Sequence, residues 1–237
     1  MKIVEVTCRD IPDAWFTCIY KILDSGFNYK IQHGSWVGQS RLEFDSITVY
    51  IKHPETRPLE PDIPSQYGIP NPVQEGYIEQ YLPYLMTPNK AENEDYTYGE
   101  RIYSQIPHFI ELLKKTPNTN QAILQVARPE DYKLNDPPCL RHIDMRIKDN
   151  KLIFYTYFRS WDLWAGFPAN LGGIQMLKEY MAMEIGVEPG PFICYSKGLH
   201  LYQYTWELAE LRTGKTIQQF KTELRGEDIH ENNGRAF

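Results

Sequence analysis

Residues 136–170 read DPPCLRHIDMRIKDNKLIFYTYFRSWDLWAGFPAN, and this stretch decides the fold. Cys139 follows Pro137 and Pro138, whose fixed φ holds the preceding chain extended and sets the thiol at an element boundary. Leu140 to Ile147 roughly alternates apolar and polar residues, Asp149-Asn150 supplies a turn, and Leu152 to Phe158 is aromatic and β-branched. That pattern predicts a hairpin. Its second strand returns towards Cys139 and delivers Arg159, Ser160 and Asp162 at the open end. A thiol needs a nearby cation to ionise at neutral pH, and Arg159 is a permanent one.

Four pieces follow one another: Pro138-Cys139, Arg159-Ser160-Trp161-Asp162, Gly166-Phe167-Pro168-Ala169-Asn170 and His200-Leu201-Tyr202. In content and spacing they resemble the motifs of the folate-type thymidylate synthases and their relatives, the pyrimidine nucleotide hydroxymethylases. The chain is most similar to the short archaeal members, strongly from about Ala122 to Trp206 and weakly towards both ends. The resemblance implies an α+β fold, a mixed β-sheet flanked by helices, dimerising through the sheet, with residues 1–237 as one catalytic domain.

It also implies roles. Cys139 would add to carbon 6 of a pyrimidine, making carbon 5 nucleophilic, with Arg159 lowering its pKa and sharing the nucleotide phosphate with Ser160. Asn170 would read the N3–H and O4 edge of uracil, His200 and Tyr202 the sugar hydroxyl, and Asp162 the pterin ring. Glu79 in YIEQYL, with Glu75 as competing register, matches a proton relay to O4. Tyr98 of the Tyr98-Gly99 pair either assists at C5 or is a packed aromatic, and Arg41 either grips phosphate or simply begins a strand.

The implied reaction is reductive methylation of dUMP to dTMP, with 5,10-methylene-tetrahydrofolate or methylene-tetrahydromethanopterin as donor and no metal. Two alternatives stay open: hydroxymethylation of dUMP or dCMP, and a nucleotide-binding homologue without catalysis. Asn170 favours uracil, because an aspartate is expected where cytosine is read. The chain departs from the family in three places. Asn120-Gln121 stands where a pair of arginines is usually lent across the dimer, leaving Arg128, Arg141 or Arg146 as substitutes. The segment from Glu79 to Tyr98, which normally helps wall the pterin, is short and lacks tryptophan. The tail, residues 226–237, is polar and expected to be loosely ordered.

Composition bounds the rest. A chain of 237 residues, 42% hydrophobic and 24% charged, suits one globular enzyme domain. A net charge of −6 gives no electrostatic case for nucleic acid. The four cysteines, Cys8, Cys18, Cys139 and Cys194, have no zinc spacing and fit a reducing, cytoplasmic setting. No signal peptide or membrane span is expected.

Elsewhere the pattern predicts strands over Lys2–Thr7, Leu42–Ile51, Ala122–Val126 and Phe192–Tyr204. Helices are expected from Asp10 to Gly26, over Val73–Met86 with a bend at Pro83, and over Glu100–Lys115 with a break near Pro107. A long helix is expected over Ala169–Ile185, ended by Gly186, Pro189 and Gly190, with Gly172 and Gly173 admitting another backbone. Two modest helices, Trp206–Arg212 and Thr216–Leu224, follow, and Pro54–Pro72 reads as an ordered surface loop.

Overall fold

The computed structural model describes residues 1–34 and 36–224. The hairpin forms at its centre, as strands β6 (Leu140–Lys148) and β7 (Lys151–Phe158) in the chain-order numbering used below. Asp149 and Asn150 turn it with φ of 52° and 59°, the doubly left-handed two-residue turn whose twist matches a hairpin. The hairpin belongs to a six-stranded mixed sheet, in the order β1 (Ile3–Cys8), β4 (Ser46–Ile51), β9 (Glu188–Ser196), β7, β6, β5 (Ile123–Gln125). β1 runs parallel to β4 and β7 parallel to β9, and the other pairs are antiparallel.

A second, four-stranded sheet has the order β2 (Phe27–Lys30), β3 (Ser40–Glu43), β10 (Leu199–Tyr202), β8 (Trp161–Asp162). It corrects two expectations. The single strands expected over Leu42–Ile51 and Phe192–Tyr204 are each split, β3 from β4 and β9 from β10, and the halves lie in different sheets. Both breaks are at one place, where the Phe44 N–H donates to the Leu199 carbonyl at 3.1 Å. A side chain at Gly198 would stand 3.2 Å from the Arg159 carbonyl, a tight contact that favours glycine at the crossing. The apolar phase slips by one residue at each break, across Asp45-Ser46 and across Ser196-Lys197-Gly198, but such a short polar step does not say that the halves join different sheets.

Helix α1 (Ile11–Ser25) is capped as its sequence predicts, the Asp10 carboxylate accepting from the Asp13 N–H and the Gly26 N–H closing on Ile22. The expected helix over Val73–Met86 is shorter and divided, into α2 (Tyr77–Tyr81) and α3 (Pro83–Met86). Gly76 is left-handed at φ 77°, so the chain before it is not helical, and Pro83 opens α3. Over Glu100–Lys115 the break falls earlier than expected. A 3₁₀ turn at Tyr103–Gln105 separates α4 (Tyr98–Ile102) from α5 (Ile106–Lys115), and Pro107 occupies the first turn of α5, where its missing N–H costs nothing.

The long helix, α6 (Gly166–Ile185), starts three residues before the expected position. The cause is Asp162, whose carboxylate accepts from the N–H groups of Trp164, Ala165 and Gly166 at 3.1–3.2 Å and so satisfies donors at the helix start. Leu171, Ile174, Leu177 and Met181 are buried as predicted. Left-handed Gly186 (φ 90°) ends the helix, while Pro189 and Gly190 belong to β9 instead. What approaches Gly172 and Gly173 is not backbone but the side chains of Ile78, Tyr81 and Leu85. Helices α7 (Trp206–Thr213) and α8 (Ile217–Leu224) complete the described chain. The loop over residues 54–72 is ordered, burying Leu59, Ile63 and Ile69. The expected loose tail lies outside the described residues. Among the described residues no helix is long and apolar enough to cross a membrane.

Candidate active site

Cys139 sits half-buried where the DPPC turn enters β6. Burial pushes its thiol pKa up. Arg159 and Arg141 pull it down, and Asp136 and Asp162 push it up further. The net direction is upward, so the cation expected to ionise the thiol does not overcome burial by itself. Arg159 instead braces the turn: its guanidinium donates to the Pro138 carbonyl at 3.2 Å, to the Pro137 carbonyl, and to Asp136 Oδ1 at 2.9 Å. Ser160 is half-buried beside it, with no hydrogen bond of its own among the described residues. Tyr98 reaches the same turn from α4, its hydroxyl accepting from the Leu140 N–H at 3.3 Å. A side chain at Gly99 would meet the Thr87 carbonyl at 2.2 Å, so the Tyr98-Gly99 pair combines an aromatic with the only residue small enough for α4 to pack there.

The four-stranded sheet supplies another wall. Its register sets His200 against Glu43 on one side and Asp162 on the other, with Tyr202 against Arg41. Side chains two apart on a strand share a face, so Asp162, His200, Tyr202, Arg41 and Glu43 all point one way. The His200 and Tyr202 rings meet edge to face at 4.5 Å. His200 is 1% exposed, and burial pushes its pKa down to about 4, so it is neutral. Its Nδ1 faces the Gly198 carbonyl at 2.9 Å, which only accepts, so the proton is on Nδ1 and Nε2 carries the lone pair. That Nε2 is buried without a partner. Such an atom is poised to accept from a ligand hydroxyl. Arg41 is tied to Glu43 at 2.6 Å and lies 4.8 Å from the Tyr29 ring, on a strand rather than in the loop before it. Burial pushes the Glu43 carboxyl up, against the pull of Arg41.

Asn170 projects from the first turns of α6, its Nδ2 donating to the Tyr81 hydroxyl at 2.9 Å and its Oδ1 accepting from Trp161 Nε1 at 3.1 Å. Beside it a cavity of about 450 Å³ opens, lined among others by Tyr77, Tyr81, Gly166 and Ala169. Asp162 Oδ1 accepts one backbone bond and Oδ2 two, which leaves an acceptor position free, and burial pushes this carboxyl up against the pull of those N–H groups.

Glu79 makes no hydrogen bond or ion pair with the Cys139 turn among the described residues. It is exposed on α2, as is Glu75 before that helix, and Arg57, itself paired with Glu179, is the cation that senses its charge. Ile78 and Tyr81, three apart, face inwards and turn Glu79 outwards. Tyr81 and Trp161 are the residues sequence reasoning missed. The spacing of Ile78, Tyr81 and Leu85 carried the signal for the first, since it marks the inner face of this helical run. Of the substitute arginines, Arg128 pairs with Glu100 and Arg141 with Asp131, while Arg146 is exposed on the hairpin. No cluster of metal-binding side chains occurs among the described residues.

The α+β scaffold thus holds a half-buried thiol in a proline turn braced by Arg159, Arg141 and the Tyr98 hydroxyl. A family model described as Thymidylate synthase matches residues 74–232, and the chain belongs to that family. The protein named "Putative thymidylate synthase" of Methanosarcina mazei is 31% identical over 212 residues, covering 86% of this chain and 92% of that relative. A protein of the same name from Methanothermobacter marburgensis is 25% identical over 219 residues, covering 87% and 96%.

Proposed function

We propose that the chain converts dUMP to dTMP with a methylene-tetrahydropterin donor, through a bond between Cys139 Sγ and carbon 6 of uracil. The observation that carries this reading is the unpartnered, buried Nε2 of neutral His200, on the same sheet face as Tyr202 and Asp162. Those groups suit a sugar hydroxyl and a pterin edge. Arg159 would exchange Asp136 for the nucleotide phosphate; Asp136 is well exposed, so water readily replaces its partner. Ser160, with Arg41 when released from Glu43, would complete that contact. Tyr98 would handle the C5 proton through the hydroxyl that now accepts from Leu140. The relay to O4 that the resemblance assigns to Glu79 would require that carboxylate to act from the outer side of α2.

The pterin, when bound, supplies a one-carbon unit and a hydride. The cavity beside Asn170 would take its flat ring: Tyr77 and Tyr81 line it and would supply the aromatic wall that the short segment lacks, and Asp162, next to the lining residue Gly166, keeps an acceptor that would suit amino and amide hydrogens. The outer face of the six-stranded sheet carries Tyr157 stacked on Tyr195 at 5.4 Å, which suits dimerisation through that face. We read the whole chain as one catalytic domain.

Intact-mass measurement after incubation with 5-fluoro-dUMP and each methylene-pterin tests the chemistry. A ternary adduct on the peptide containing Cys139, absent from Cys139→Ser, is expected. Nucleotide binding without any adduct would instead mean a non-catalytic homologue.

A further inference from the structure

We propose that Trp161 and Tyr81 form a clamp that locks the Asn170 amide in one of its two flip states, and that this lock sets the choice of uracil over cytosine. The inference rests on the reading of Asn170 as the base-contacting residue and adds what makes it selective. A free asparagine amide is ambidextrous. Turned one way it offers N–H to O4 and oxygen to N3–H of uracil; turned over, it offers the reverse pair to N3 and the amino group of cytosine. An asparagine that rotates freely therefore distinguishes the two bases poorly.

Here rotation is blocked chemically. The indole N–H of Trp161 can only donate, so the Asn170 atom 3.1 Å from it must be oxygen. The flipped amide would set an N–H against the N–H of an indole that is 2% exposed, replacing a hydrogen bond by a donor–donor contact and stranding the buried indole donor. Tyr81 holds the other end, accepting from Nδ2 at 2.9 Å. Burial pushes the Tyr81 pKa up, so its hydroxyl stays protonated. One N–H and one oxygen lone pair remain, in fixed order, for a base.

Both jaws are held rigidly. Trp161 is 2% exposed, stacked on Phe158 with ring centres 3.8 Å apart and packed against Phe167 at 4.5 Å. Tyr81 occupies space that only Gly173 leaves open, since a Cβ there would stand 2.7 Å from its ring. Tyr77 and Tyr84 stack along it at 6.3 and 6.0 Å.

The test is titration calorimetry of dUMP and dCMP against wild type, Trp161→Phe, Tyr81→Phe and Asn170→Ala. Trp161→Phe keeps an aromatic ring on Phe158 and removes the indole N–H together with part of the ring's volume, which is why a nucleotide-free exchange measurement accompanies it. The dUMP:dCMP affinity ratio should fall about tenfold in Trp161→Phe and less in Tyr81→Phe, because the tyrosine end tolerates either amide atom. A ratio that falls in Asn170→Ala but is unchanged in Trp161→Phe overturns the clamp alone. A ratio unchanged in Asn170→Ala overturns the base-reading role beneath it. The indole N–H resonance of Trp161 gives a readout that needs no nucleotide. It should exchange slowly in wild type and faster in Asn170→Ala; equal exchange would overturn the clamp even in a protein that binds neither nucleotide.

Discussion

Lys178→Met turns the one fully buried lysine among the described residues into a measurable pH dependence. Lys178 lies on α6 with no exposed surface, its ammonium donating to the carbonyls of Gly190 and Pro191 and sitting 3.6 Å from the centre of the Phe192 ring. Burial pushes its pKa from 10.5 down to about 7, against the pull of Cys194, Glu55 and Glu179. Between those values the unfolded chain holds a proton that the folded chain releases, so stability rises with pH. The resulting cost is about 4 kcal/mol at pH 7 and about 1 kcal/mol at pH 9.5. Methionine removes it but leaves the Gly190 carbonyl without its donor, a loss of about 1–3 kcal/mol at either pH. The substitution should therefore stabilise the protein by about 1–3 kcal/mol at pH 7, raising Tm by about 2–4 °C per kcal/mol, and be neutral or harmful at pH 9.5. Urea denaturation of both proteins across this range isolates the lysine, because every other titrating group is shared. A difference independent of pH would refute the reasoning and mean that the carbonyls and the Phe192 face keep Lys178 charged.

Asp131→Asn should cost about 3 kcal/mol in urea denaturation, because Arg101, 8% exposed, would lose its buried carboxylate and Arg141 its anchor beside the Cys139 turn; a loss below about 1 kcal/mol would contradict that network. Asp136→Asn should speed iodoacetamide labelling of Cys139 at pH 8, since it removes a charge that raises the thiol pKa, and Arg159→Gln should slow it. The opposite order would show that Arg159 does not act on the thiol. Glu79→Gln should leave kcat within about twofold if the exposed carboxylate takes no part, while Tyr98→Phe should lower it by about 10²-fold. A large loss in Glu79→Gln would instead support the relay that the resemblance implies. Affinity for deoxyuridine, which carries no phosphate to titrate, should stay flat from pH 8 to pH 5.5 and fall only as His200 protonates near 4; a fall centred at 6.5 would contradict the neutral assignment.

Local chemistry was readable in advance. Pro137 and Pro138 marked the turn at Cys139, Asp149-Asn150 marked the hairpin, Asp10 and Gly26 marked α1, and each acts through its own backbone preferences. The crossing at Phe44 and Gly198 was hidden because it depends on pairing between strands far apart in sequence, which the brief polar steps at Asp45-Ser46 and Ser196-Lys197-Gly198 do not reveal. Asp162 was legible as a polar site residue, but not as the group that starts α6. The contacts of Asn170 join residues 81, 161 and 170, and Gly173, which makes room for Tyr81, looks in sequence like any small residue on a helix. The charge balance at Cys139 was hidden for the same reason: Arg159 was visible, the depth of burial opposing it was not.

The most direct test is mass spectrometry of the nucleotide formed from dUMP with methylene-tetrahydrofolate and, separately, with methylene-tetrahydromethanopterin. The account predicts a product one methyl group heavier at C5 and a dihydropterin in equal amount, with one donor preferred, and none of either from Cys139→Ser. A hydroxymethyl nucleotide with tetrahydropterin released, or dTMP made by Cys139→Ser, would contradict it.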